Sequence, residues 1–356
     1  TLPTNTSYYM SELKSIKIVG GILCMCTCIT YSNGDFYFGR NLDLDCSFNE
    51  MVTVTPRSFP LRFCNAGNLE HHYAMIGMAS ADKRFPLYAE AVNEKGLAMA
   101  GLNFPGSAVY QKSDAKGLEL ASFEMIAWFL GKCASVEEAK QYLSGLKITD
   151  DAFSPAMPPA PLHWMMADKD RCIVIEPEKE GIKVYDNPFG VLTNNPPFGY
   201  HQLNMNNYLN LTAESPQNRF AERLELRPFA QGMGAVGLPG DASSVSRFVR
   251  AAFLKWNSVA PEEESANITQ FFHILDNVAM IRGTVVTDQG TYDITTYSCC
   301  VNTRTGIYYY KTYEDSRLHA ADMHAARLEG DKLILLSDNF VKRGLSPFDK
   351  SVAMPE

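Results

Sequence analysis

The sequence predicts an α+β fold in which mainly antiparallel sheets carry helices on their outer faces. Three observations lead to it. Segments of alternating apolar and polar residues are joined in pairs by tight turns, a connection open to antiparallel strands but not to parallel ones. The order along the chain is strands, helices, strands, helices, strands, which packs helices beside sheets instead of alternating them with single strands. No P-loop pattern is present, and no strand–glycine-loop–helix unit of a doubly wound nucleotide-binding fold is expected.

Thr27–Tyr31 and Phe36–Asn41 are rich in β-formers and flank Asn33-Gly34, a hairpin signal. A two-residue turn there pairs Cys26 with Asn41, puts Asp43 on the same face and turns Arg40 to the other. Met51–Thr55 alternates and is closed by Pro56. Tyr73–Ala79 reads as a strand, and Leu87–Val92 with Leu97–Asn103 flanks the turn Asn93-Glu94-Lys95-Gly96. The apolar period then becomes helical over Ser122–Lys132. Ser135-x-x-Glu138 is a capping box opening a second helix that runs to Leu143, with Ser144-Gly145 as its stop. Residues 151–161, DAFSPAMPPAP, read as a crossing loop within one domain, because strand signal resumes at once. Hairpins follow through HWMMA, RCIVIE and IKVYD. Helical patterns return at His201–Leu211, Val245–Val259 and Asn267–Met280, and strands at Asp293–Val301, Gly306–Thr312 and Lys332–Ser337 close the chain.

The chain of 356 residues has 46% hydrophobic and 20% charged residues, the balance of a soluble globular protein able to bury a sizeable core. A net charge of −8 argues against nucleic acid or anionic membrane as partner. No apolar run is long enough to span a bilayer, so no membrane insertion is expected. Nine cysteines spread over this length suggest free thiols and a cytoplasmic location. Lys14 and Lys17 beside IVGGILCMC faintly echo a signal-peptide core, but no A-x-A cleavage site follows; export through residues 10–25 is the lesser alternative.

A metal site fares poorly, since the seven histidines form no H-E-x-x-H and join no C-x-x-C pair. Cys24, Cys26 and Cys28 would share one face of a strand, a geometry that cannot by itself surround a tetrahedral ion. Cys299-Cys300 points to opposite faces of a strand and reads as packing. G-x-S-x-G is absent, no cysteine sits in a papain-like context, and His163 reads as a satisfied core histidine. Cys26 follows a methionine. Removing Met25 would give Cys26 an α-amine, which titrates near pH 7.7–8.0 and can take the thiol proton. On spacing alone, a small buried strand cysteine is the simpler reading.

The blocks MCTCITYSNGDFYFGRNLDLDCSFNE, NEKGLAMAGLNFPG, GVLTNNPPF, GLPGDASSVSRFVRAAFL and FFHILDNVAMIRGT…GIYYYKTYE closely resemble the choloylglycine hydrolase family, in family order from Met25 to about Ser337. The resemblance implies a four-layer αββα sandwich of the N-terminal-nucleophile type and hydrolysis of the amide joining glycine or taurine to a bile acid. It also implies Cys26 as nucleophile, Arg40 and Asp43 as supports of thiolate and amine, Asn103 and Asn194 at the oxyanion, and Arg247 completing the polar cluster. Turn chemistry is the alternative reading of the two asparagines, and Arg247, opening a helix, asks for a buried anion. Leu42, Phe48 and the loops carrying Phe85 and Phe153 are expected as apolar substrate walls. Penicillin V acylases share the machinery, and Asn103, where acylases often carry tyrosine, favours bile salts. The family further implies a homotetramer, without cofactor or metal. Residues 1–25 are then a leader, propeptide, tag or start-site artefact before a single domain over 26–350; a chain that keeps them would instead be a sterol-binding relative.

Overall fold

The first hairpin sets the frame for everything around it. The structure, a computed structural model, describes residues 25–82 and 85–336. Strands Met25–Asn33 and Asp35–Leu44 pair with Asn33 opposite Asp35, so Gly34 alone makes the turn, at a φ of +71° that suits a residue without Cβ. The two-residue turn is thereby corrected by one position. The cause is tertiary: the Asn33 amide donates to the carbonyls of Ala260 and Pro261 and to Asn267 Oδ1, which keeps Asn33 in the strand and out of the turn. A one-residue slip reverses every face relation. Cys26 now lies opposite Leu42 and Cys28 opposite Arg40, while Met25 lies opposite Asp43 and Thr27 opposite Asn41. Arg40 therefore shares the Cys26 face and Asp43 the other, the reverse of the expectation.

Two large sheets form the body. The first has six strands in the order Val191–Leu192, Met25–Asn33, Asp35–Leu44, Ile294–Asn302, Ile307–Thr312, His319–Asp322. The second has eight: Gly181–Asp186, Cys172–Glu178, Leu162–Ala167, Ala98–Asn103, Phe85–Asn93, Met75–Asp82, Glu50–Thr55 and Ile334–Leu336. Every pair within them is antiparallel, as the tight turns require. A short parallel pair, Leu118–Ala121 with Leu146–Thr149, was not legible as strand in the sequence.

Helices Ser244–Asn257 and Glu264–Asp276 pack on the outer face of the first sheet, and Met125–Lys132 packs on the second. The two sheets face each other, giving the four-layer αββα sandwich. Alternation along the strands divides the core accordingly. Ala98, Ala100 and Leu102 point between the sheets, while Leu97 and Met99 point outward to the helices Met125–Lys132 and Val136–Leu143. The expected cap forms in part: Ser135 Oγ accepts from the Glu138 N–H, while the Glu138 carboxylate accepts from the Ala134 N–H, one residue before the reciprocal partner of a capping box. The helix expected at His201–Leu211 instead occupies Phe198–Asn204 and continues as a 3-10 turn over Met205–Tyr208. Its start is set from the sheet, where Glu176 accepts the Phe198 N–H.

The string GMGAVG at Gly232–Gly237 has the G-x-G-x-x-G spacing, but it holds a single 3-10 turn with irregular chain on both sides, so it lacks the strand and helix of a phosphate-binding loop. Among the described residues no helix is long and apolar enough to cross a membrane. Apart from Met25, the expected leader lies outside the described residues, as do Cys24, Ser337 and the domain's expected end at residue 350.

Candidate active site

Cys26 sits at the beginning of its strand, 1% exposed, with both of its backbone polar groups held by side chains from other elements. Its N–H donates to Asn194 Oδ1 at 2.9 Å. Arg247 donates through one terminal nitrogen to the Cys26 carbonyl and to Thr27 Oγ1, and through the other to Asn194 Oδ1 at 2.8 Å. Asn194 Nδ2 in turn donates to the Asn103 carbonyl at 2.8 Å. Cys26, Asn103, Asn194 and Arg247 are thus one connected cluster.

Strand register explains the meeting. Val191–Leu192 pairs with the first strand, with Leu192 opposite Cys28 and Val191 opposite Ile29. Continuing that antiparallel count by two residues sets Asn194 across from Cys26. Two buried histidines then clamp the segment. His163 contacts the Thr193 carbonyl at 3.0 Å and Glu176 at 2.9 Å, and so is the satisfied core histidine expected. His201 Nε2 donates to the Asn194 carbonyl at 3.1 Å, and burial pulls its imidazole down to about 4, so it stays neutral at working pH. From the helix side, Ser244 Oγ accepts the Asn194 N–H at 2.9 Å.

Arg247 lies in the first turn of the helix capped by Ser243, fully buried. Its hydrogen bonds include those to the neutral oxygens named above and to the Ala242 carbonyl. A carboxylate is nonetheless close enough to feel it. Burial lifts the Asp43 carboxyl to about 8, with the Arg247 charge opposing the rise, and Thr295 Oγ1 donates to Asp43 Oδ1 at 2.6 Å. A second buried acid, Asp293, is lifted to about 7 by burial and by the neighbouring charges at Cys26 and Asp45.

Arg40 is fully buried on the Cys26 face, donating to the carbonyls of Ala89 and Gly101. The expected substrate walls divide. Leu42, opposite Cys26, and Phe48 belong to the cluster between the sheets. Phe85 and Phe153 lie in the other cluster, joined through Phe123 by edge contacts of 5.8 and 5.3 Å, and are not brought together with Cys26.

Sequence reasoning missed Asp293, His201, Glu176 and Glu90. A lone acid at an inward position of an apolar strand, as in LYAEAV, was the available signal for Glu90. Among the described residues no group of three His, Cys, Asp or Glu side chains is arranged to hold a metal ion.

Residues 26–336 match the linear amide C–N hydrolases of the choloylglycine hydrolase family, so the match opens on Cys26 itself. A protein of Lactiplantibacillus plantarum named bile salt hydrolase/transferase is 49% identical over 310 residues, covering 87% of this chain and 96% of that protein. The solved cysteine-to-alanine variant of conjugated bile acid hydrolase from Clostridium perfringens superposes with a TM-score of 0.81 at 37% identity, covering 88% of this chain and 96% of that one. Penicillin V acylase from Agrobacterium tumefaciens shares the fold, with a TM-score of 0.67 at 21% identity over 86% of this chain and 89% of that one. With the match spanning nearly the whole described structure, the chain belongs to the choloylglycine hydrolase family of linear amide C–N hydrolases.

Proposed function

We propose that this protein hydrolyses the amide bond of glycine- or taurine-conjugated bile salts, with Cys26 as nucleophile once residues 1–25 have been removed. The observation that carries the reading is the grip on Cys26: its N–H and carbonyl are held by Asn194 and Arg247, while its side chain shares a strand face with Arg40. The names of the similar proteins supply the substrate class.

The chemistry then follows from the residues. The freed α-amine, ordinarily titrating near neutrality, takes the thiol proton. The sulfur attacks the amide carbonyl, forming a C–S bond and placing negative charge on oxygen. Amide hydrogens of Asn103 and Asn194 receive that charge, a contribution worth roughly 2.7–4 kcal/mol per donor. The C–N bond breaks as the amine returns its proton to the departing glycine or taurine. Water, activated by the same amine, hydrolyses the thioester and restores the thiol. Arg40 supports the thiolate, Asp43 the protonated amine, and Arg247 fixes Asn194. Leu42 and Phe48, on the Cys26 side, form apolar walls for the sterol. The catalytic domain runs over 26–350, assembles as a homotetramer and works in the cytoplasm.

The test is release of glycine or taurine from glycocholate and taurocholate by the protein and by its C26A variant. Product from the protein and none from C26A supports the reading. Turnover of penicillin V with no turnover of either bile salt would replace the substrate, and activity surviving in C26A would remove the nucleophile.

A further inference from the structure

The second sheet sends a carboxylate into the space that Arg40 occupies. Glu90, on Phe85–Asn93, is 2% exposed and accepts from the Tyr297 and Tyr308 hydroxyls at 2.6 Å each. Its Oε2 lies 3.8 Å from Arg40 Nε. Burying an ion pair is costly, and such a pair persists where its remaining donors and acceptors are satisfied. Glu90 meets that condition through the two tyrosines: burial pushes its carboxyl up, while the Arg40 charge and the two tyrosine hydroxyls favour the ionised form.

Two β-bulges build the arrangement, one in each sheet. Against Met75–Asp82 the register slips so that Met78 faces Glu90 and Ala79 faces Tyr88, leaving Ala89 as the extra residue. The Ala89 carbonyl accepts from Arg40 at 3.1 Å. In Ile294–Asn302, Thr295 lies opposite Asp43 and Tyr297 opposite Leu42, leaving Thr296 extra, its hydroxyl on the Leu42 carbonyl at 3.0 Å. Were the ladder regular here, Thr296 would take the place opposite Leu42, and Tyr297 would fall opposite Asn41 on the helix side and lose Glu90. Bulges of this kind re-aim side chains.

The rest of the Arg40 guanidinium is suggestive. Its Nε and one terminal nitrogen donate to protein carbonyls, while the other terminal nitrogen is buried with no hydrogen-bond partner among the described residues. A buried charged donor left so is expensive unless an acceptor forms beside it. A thiolate at Cys26, on the same face, is such an acceptor.

We propose that Glu90, held by Tyr297 and Tyr308, is a positioning residue that fixes Arg40 and offsets part of its charge, thereby setting how strongly Arg40 stabilises the Cys26 thiolate. This rests on Cys26 being the nucleophile. The other titratable groups facing Glu90 and Arg40 stay neutral at working pH: burial pushes the Cys28 and Cys299 thiols and both tyrosines well up. Arg247, Asp43 and Asp293 act on the Cys26 region independently of Glu90.

Thiolate absorbance at 240 nm, taken as the difference between each protein and its C26A counterpart, titrates Cys26 directly. In Glu90→Gln, which keeps size and one of the two acceptor oxygens, Arg40 is no longer offset, and the Cys26 midpoint falls by about one pH unit, the scale of one unit charge in a partly screened interior. The acidic limb of kcat/KM on glycocholate moves with it. An unchanged midpoint in a folded E90Q protein would overturn the proposal and leave Glu90 a purely structural residue. Should E90Q fail to fold, Glu90→Asp withdraws the carboxylate without removing it; a smaller downward shift with reduced kcat and unchanged KM is expected, and wild-type values for both would overturn it. Turnover persisting in C26A would sink the nucleophile reading alone, since the titration reports the coupling of Glu90 to Cys26 whether or not the thiol reacts.

Discussion

Asp43→Asn separates the electrostatics of the site from its packing. In the chain that retains Met25, burial lifts the Asp43 carboxyl from an ordinary 3.8 to about 8. The folded protein therefore binds a proton here that the unfolded chain has already lost, and stability falls as pH rises from about 4 to about 8. The difference is about 4 units, which at ~1.4 kcal/mol each caps the effect near 5 kcal/mol; relaxation of the surroundings leaves a few. Asparagine keeps an acceptor for the Thr295 hydroxyl and never charges. The variant should match the parent near pH 4, where the Asp43 contribution is still present, and exceed it at pH 9 by about 5–10 °C in Tm. Differential scanning fluorimetry across pH 4–9, with intact mass confirming Met25, is the assay. Asp293 loses stability in the same direction and its charge raises Asp43, so the comparison reads the Asp43 contribution together with that coupling. Parallel Tm profiles for variant and parent would refute the argument, because they would mean that Asp43 is ionised throughout.

Asn194→Ala removes the acceptor shared by the Cys26 N–H and Arg247 as well as the donor to the Asn103 carbonyl; it should lower kcat on glycocholate about 10²–10³-fold, measured by amino-acid release, and lower Tm by several degrees because buried donors lose their acceptor. Gly39→Ala should destabilise strongly, because a Cβ there would stand 2.0 Å from the Cys299 carbonyl oxygen; thermal unfolding would show a loss of several degrees or no folded protein.

Much of the fold is written locally. Alternation with tight turns announces the hairpins, and the Ser135 cap with Glu138 fixes a helix start that depends on a few adjacent residues. The readings that shifted depend on distant partners. Asn33 leaves the turn because Ala260, Pro261 and Asn267 capture its amide, and that single displacement exchanged the faces of Arg40 and Asp43. The helix after Pro197 begins where Glu176, on another strand, accepts an N–H. The candidate site was legible through family blocks whose residues the fold assembles from four separate segments. Asn194 reaches Cys26 through a two-residue strand too short to announce itself, and Tyr297 reaches Glu90 through a bulge that no periodicity encodes.

The central claim is that Cys26 becomes the first residue of the working enzyme. Intact mass and N-terminal sequencing of protein expressed from the full chain, alongside C26A, test it most directly. The account predicts a chain beginning at Cys26 that releases amino acid from conjugated bile salts. Full activity in protein whose N-terminus still lies upstream of Cys26 would contradict it, because there the nitrogen that must act as base is an amide.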